Sequence, residues 1–170
     1  MEIFQVNSRK LEKDFLEVHV VINKAYSNWI QPLDRDVLSV FDKTKNKLLL
    51  KAEAMRWILK NDQGKLIGRI AAFVNKRYAN KGDDIKVGGI GFFDCVDDYK
   101  AAELLFDTAK KWSIERGMEA MDGPINLGDR DKWWGLLVEG FHLPIYNMNY
   151  NPPYYKKLFE TYGFQNLVLP

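Results

Sequence analysis

The sequence predicts one α/β domain over residues 1–170, built on a mixed sheet, and three observations lead there. Apolar residues recur at three- and four-residue spacing in two long stretches, Leu11 to Tyr26 and Tyr99 to Arg116, which is the helical period. Strand formers gather between Ala54 and Val96 around the turn Asn61-Asp62-Gln63-Gly64, which reads as a hairpin followed by a third strand. A strand–helix–strand unit after a hairpin implies a mixed sheet with helices on both faces.

Each element follows from a local signal. Met1 to Asn7 reads as a short strand, and Ser8 as the N-cap of a helix whose apolar positions are Leu11, Phe15, Val18, Ile22 and Tyr26. Trp29 to Pro32 is a loop and Asp34 to Phe41 a second short helix. Ala54–Lys60 and Leu66–Val74 form the hairpin, and Lys76–Asp84 is a polar, exposed connection. Ile85 to Val96 holds Gly88, Gly89 and Gly91 beside Phe92 and Phe93, the mark of a strand with a bulge or a close backbone approach. The helix from Tyr99 to Arg116 meets its C-cap at Gly117, and Met118 to Asn126 is a strand running into Gly123-Pro124. Asp129 to Glu139 reads as a short helix closed by Gly140-Phe141. Pro152-Pro153 opens the last helix, which Gly163 caps, and Gln165 to Leu169 is a final strand.

Composition excludes several classes. With 46% apolar and 28% charged residues, the chain is globular in composition and not disordered or fibrous. No window reaches the apolar length of a membrane span, and Met1-Glu2-Ile3-Phe4 does not begin a signal peptide, so the expected location is the cytoplasm. The net charge of +2, with lysines at 43–51 broken by Leu48, Leu49 and Leu50, gives no nucleic-acid footprint. A single cysteine excludes an internal disulfide, and two histidines far apart in sequence support no metal site.

The element order resembles the GNAT superfamily of acyltransferases. Gly64-Lys65-Leu66-Ile67-Gly68 followed by Arg69-Ile70-Ala71-Ala72 is similar to that family's hairpin. Gly91-Phe92-Phe93-Asp94-Cys95 with Glu115-Arg116-Gly117 resembles its central strand and helix, and Tyr155–Phe164 its late helix ending in Gly-Phe. More narrowly, Gly123-Pro124-Ile125-Asn126, then Trp134–Phe141, then Tyr150–Tyr155 is similar to a bacterial branch whose members run longer. The resemblance covers nearly the whole chain. It implies a GNAT-like acyl-CoA N-acyltransferase fold, truncated at its C-terminal end. The chain is then an N-terminal portion whose sheet exposes an edge that needs a missing C-terminal segment or a homodimer partner.

The resemblance further implies acetyl-CoA or another acyl-CoA as donor and a small amine or peptide as acceptor. Such chemistry needs backbone N–H groups at a helix start for the pyrophosphate, a splay in the sheet for the pantetheine arm, and an acid and a base. The cofactor loop of the superfamily is glycine-rich. Here the junction reads Cys95-Val96-Asp97-Asp98-Tyr99-Lys100-Ala101, without glycine. Val96, Tyr99, Lys100 and Ala101 are the expected cofactor-binding positions, whereas Asp97 and Asp98 repel phosphate and suit a helix start instead. Asn126, beyond the following strand, is counted with the binding residues.

Asp94 is the candidate base, provided its side chain points into the splay; otherwise it is a strand-end carboxylate. The tyrosine that the superfamily places four residues before the glycine of Gly-Phe is replaced here by Phe159 and Leu136. Tyr155 is carried forward as the candidate acid, with packing as its competing role. His19 reads as a partly buried helix residue, His142 as a loop residue and Cys95 as a small core residue. The aromatic segment from Gly123 to Tyr155, interleaved with asparagines, either lines a ligand groove or wraps the domain and packs upon itself. Two readings follow: an N-acyltransferase, or a non-catalytic module of the same fold that binds a metabolite or a protein. An open groove beside Val96 is expected of the first, and side chains filling that space of the second.

Overall fold

The computed structural model describes residues 1–75, 85–127 and 132–166. Its first strand, β1 (Glu2–Gln5), leads into helix α1 (Arg9–Asn23), which starts where the sequence places a cap: Ser8 accepts a hydrogen bond from the Leu11 N–H. Phe15, Val18 and Ile22 form its buried stripe. Substituting Ser8 by alanine is expected to lower stability by about 1 kcal/mol, measured by urea denaturation, because the cap satisfies an otherwise orphan amide.

Helix α2 (Asp34–Ser39) and a 3-10 turn (Lys47–Leu50) carry the chain to β2 (Ala52–Lys60) and β3 (Leu66–Asn75), the hairpin read from the sequence. Strand β4 (Val87–Cys95) pairs antiparallel with β3, helix α3 (Tyr99–Ile114) crosses back, and β5 (Ala120–Asp122) pairs parallel with β4. The sheet order is β1-β2-β3-β4-β5. Helix α4 (Tyr155–Tyr162) closes the described chain and ends at Gly163, whose φ of 110° is the left-handed cap expected there.

The two faces of the sheet are covered by different helices. On one, Phe92 packs against Phe15 of α1, Phe41 and Trp133. On the other, Phe93 stacks on Phe106 of α3 at a centroid distance of 4.6 Å and meets Tyr155 and Phe159 of α4. Gly68 permits this second layer, since a Cβ there would stand 2.8 Å from Leu105 of α3.

The structure corrects three expected elements. The strand of Met118–Asn126 is only Ala120–Asp122, because the chain leaves the ladder at the cis Gly123-Pro124 bond and crosses β4 instead. The helix over Asp129–Glu139 is absent from its described part, 132–139. Trp133 and Gly135 have positive φ, and the Trp133, Gly135 and Leu137 amides donate to Asn147, Pro124 and Asn151, so no helical ladder can form. Gln165 and Asn166 are not in a strand; 167–170, like the 76–84 connection and 128–131, lie outside the described residues.

Candidate active site

The site begins with an extra residue in β4. Arg69 pairs with Asp94 but Ala71 with Gly91, so three steps on β4 face two on β3, and Phe92 in the bulge has a φ of 47°. Beyond Gly89, β4 loses β5 as its partner. Ile125 donates its amide to the Ile90 carbonyl at 2.7 Å, and farther along the edge two tyrosines take over. The Tyr155 hydroxyl accepts from the Cys95 N–H at 2.9 Å, and the Tyr154 hydroxyl donates to the Cys95 carbonyl at 2.7 Å. Side-chain oxygens thus stand where a neighbouring strand would continue the ladder.

Asp94 lies at this splay, 2% exposed, with both carboxylate oxygens engaged. Oδ2 accepts from Arg69 Nε at 2.7 Å and from His19 Nδ1 at 2.8 Å. Oδ1 accepts from Asn23 Nδ2 at 3.0 Å and from the Tyr155 hydroxyl at 3.1 Å. Burial alone would raise the Asp94 carboxyl, but the Arg69 guanidinium and the hydrogen bonds from His19 and Arg69 outweigh it and hold the group well below the usual carboxylate range. Burial and the Asp94 charge push the Tyr155 hydroxyl well up, so it stays a hydrogen-bond donor at neutral pH. Arg69 is itself 3% exposed, donates from Nη1 to the Phe15 carbonyl and lies over the Phe15 ring.

The tautomer of His19 is fixed by its partners. An ionised carboxylate only accepts and an indole N–H only donates. Nδ1 therefore carries the proton given to Asp94, and Nε2 carries the lone pair that receives the Trp29 Nε1–H at 3.2 Å. Asn23, one turn along α1, also donates to the His19 carbonyl.

His19, Arg69, Asp94 and Tyr155 line a small cavity of about 40 Å³, completed in part by Asn149 and Asn151. A larger groove of about 740 Å³ runs along β5 between the end of α3 and α4. Pro124 and Leu136 border both spaces.

The expected site residues fall into separate places. Asp94 and Tyr155 are brought into direct contact. Val96, Tyr99, Lys100 and Ala101 sit together at the start of α3, where Asp98 caps the helix through the Lys100 N–H and the Val96 N–H is bound to the Ile67 carbonyl. Asn126 joins neither group; among the described residues its buried Oδ1 has no hydrogen-bond partner, and it borders neither of these cavities. Cys95 is fully buried, and burial drives its thiol up, away from a nucleophilic thiolate. Part of the aromatic segment wraps the domain: Asn149 donates to the Gly135 carbonyl and Asn151 binds both the amide and the carbonyl of Leu137.

Sequence reading missed four members: His19, Asn23, Trp29 and Arg69. A signal existed for three of them. His19 and Asn23 are four apart on one helix face, and Arg69 is a charge inside a strand whose neighbours on both sides are apolar. Among the described residues, no group of three or more His, Cys, Asp or Glu stands close enough to hold a metal ion, and no helix is long and apolar enough to cross a membrane.

No protein-family model matches the chain. It is 28% identical over 153 residues to a bacterial ceramide synthase from Caulobacter vibrioides, a stretch covering 89% of this chain and 39% of that protein. The chain thus spans about two fifths of the length of this curated relative. Among solved structures it resembles an aminoglycoside 6′-N-acetyltransferase of Acinetobacter baumannii, with TM-score 0.59 and 13% identity over 99% of this chain and 93% of that one. A predicted acetyltransferase of Clostridium acetobutylicum, solved with acetyl-CoA, is equally similar, with TM-score 0.59 and 13% identity over 97% of this chain and 90% of that one.

Proposed function

We propose that this chain, whose fold is that of the GNAT acetyltransferases, is an N-acyltransferase domain that moves an acyl group from acyl-CoA to an amine. The observation that carries the reading is the buried constellation of Asp94, His19, Arg69 and Tyr155 at the splay of the sheet. Two charged groups buried to this degree are costly to keep, and they stand where such folds open to admit ligands. In the reaction, the amine nitrogen attacks the thioester carbon, a C–N bond forms, the C–S bond breaks, and one proton passes from nitrogen to the leaving sulfur. Asp94 is held ionised with its lone pairs engaged, so its role is to orient its partners; Tyr155 remains a donor beside it.

The donor's pyrophosphate would lie at the start of α3, near the Tyr99 and Ala101 amides and Lys100, with Asn126 on the far side of the splay. The relative named a ceramide synthase supports an acceptor amine that carries a long alkyl chain. The test is calorimetric titration with acetyl-CoA and palmitoyl-CoA beside free coenzyme A. Saturable heat with an acyl-CoA is expected; none at high micromolar ligand would sink the reading.

A second reading, a non-catalytic module, is favoured by one observation. Tyr154 and Tyr155 fill the edge of β4 at Cys95, beside Val96, where a thioester arm would otherwise pair. Binding of coenzyme A and acyl-CoA that is equally absent, with the fold intact, would favour it.

A further inference from the structure

We propose that His19 is the proton acceptor of this site and that Trp29 covers it. The inference rests on the acyl-transfer reading and names the group that takes the amine proton. Three features converge on His19. Asp94 on one side and the Trp29 N–H on the other set its Nδ1–H tautomer, so the Nε2 lone pair faces Trp29. Nδ1 is anchored by a carboxylate that cannot itself take the proton readily, because Arg69 and His19 stabilise its charge. And His19 retains 15% side-chain exposure beside a cavity, whereas Asp94, Arg69 and Tyr155 are buried. An imidazole held by a carboxylate on one nitrogen and free to react at the other is the arrangement that general-base chemistry requires.

In this structure Nε2 is not free. The Trp29 indole donates to it at 3.2 Å, longer than any of the four bonds to Asp94, with the two rings edge-on at 5.4 Å. Trp29 belongs to the loop between α1 and α2 and is only half-buried. The contact is therefore the weakest link of the cluster and the one an acceptor amine can replace. When the indole withdraws, the amine proton passes to Nε2 as the C–N bond forms. The resulting imidazolium, stabilised by Asp94, returns that proton to the departing thiolate, so the ring ends as it began.

The chain has two histidines, and His142 is exposed in a loop, so a His142→Asn background leaves His19 as the single imidazole. Carbethoxylation by diethyl pyrocarbonate then reports the availability of Nε2. Trp29→Phe keeps an aromatic ring but removes the N–H, and reaction about fivefold faster is expected, in keeping with the loss of one ordinary hydrogen bond. An unchanged rate would overturn the cover. His19→Gln is expected to lower kcat for acyl transfer at least about a hundredfold while KM changes little; kcat within a few-fold of the parent would remove His19 as the acceptor. If no variant transfers an acyl group to any amine while Trp29→Phe still unmasks His19, the acyl-transfer reading is what fails, and the cover stands.

Discussion

Replacing Asp94 with asparagine is expected to lower folding stability by about 3–5 kcal/mol, measured by urea denaturation at neutral pH. The substitution keeps the side chain's size and both its polar atoms, so no cavity forms. What it removes is the charge opposite Arg69, whose guanidinium is 3% exposed and has the Phe15 carbonyl as its other hydrogen-bond acceptor. The carboxamide also places an NH2 group toward donors, since Arg69, His19, Asn23 and Tyr155 all donate to Asp94. At least one buried donor is then left facing another. Arg69→Met in the Asp94→Asn background should recover much of the loss, because replacing both partners of a buried pair by groups without charge is far less damaging than breaking it. No recovery in the double variant would show that the pair contributes through packing alone.

The same group gives a pH dependence of defined sign. The folded Asp94 carboxyl titrates well below its unfolded value of about 3.9, so its contribution is complete above that value. It is lost as pH falls from there toward the lower folded value. The acid limb of the stability curve should therefore flatten in Asp94→Asn relative to the parent below about pH 4. An acid limb of the same steepness in both chains would remove Asp94 from this role.

How much of this was legible in the sequence depends on whether a local rule decided the outcome. Ser8, Gly117 and Gly163 marked helix ends because a cap is a local event, and Asn61–Gly64 marked the hairpin for the same reason. The bulge was readable as three glycines beside two phenylalanines, although which residue it would re-aim was not. Asp94 and Tyr155 were singled out by position alone. Their contact links residues 61 apart in sequence, and nothing in local spacing encodes it. The helix expected at 129–139 failed, in its described part 132–139, for the same reason in reverse. Its apolar pattern is helical, but Trp133 and Gly135 take left-handed φ because their amides bind Asn147 and Pro124, partners supplied by distant loops. Arg69 and Asp94 suggest a rule that sequence reading can apply. A basic and an acidic residue, each inside an otherwise apolar strand of one hairpin or meander, are candidates for a buried pair.

Gly91→Ala is expected to be the most disruptive single change in the framework around the site, with a loss of about 3 kcal/mol or more. A Cβ at Gly91 would stand 1.7 Å from the Ile125 carbonyl oxygen, which is backbone and cannot rotate away. That segment is tied down on both sides: Ile125 donates to the Ile90 carbonyl, and the Pro124 carbonyl accepts from Gly135. Relief of the clash must therefore lift residues 123–125 from β4, and with them Pro124, which borders both the small cavity and the large groove. Gly64→Ala is the control, since an added Cβ there meets nothing within 4 Å. Its left-handed φ of 75° should cost only about 1–2 kcal/mol. Denaturation midpoints separate the two, and diethyl pyrocarbonate in the His142→Asn background adds a site-specific reading, because a lifted Pro124 opens the cavity that His19 lines. A Gly91→Ala protein as stable as Gly64→Ala, with His19 equally shielded, would mean that this crossing does not close the site.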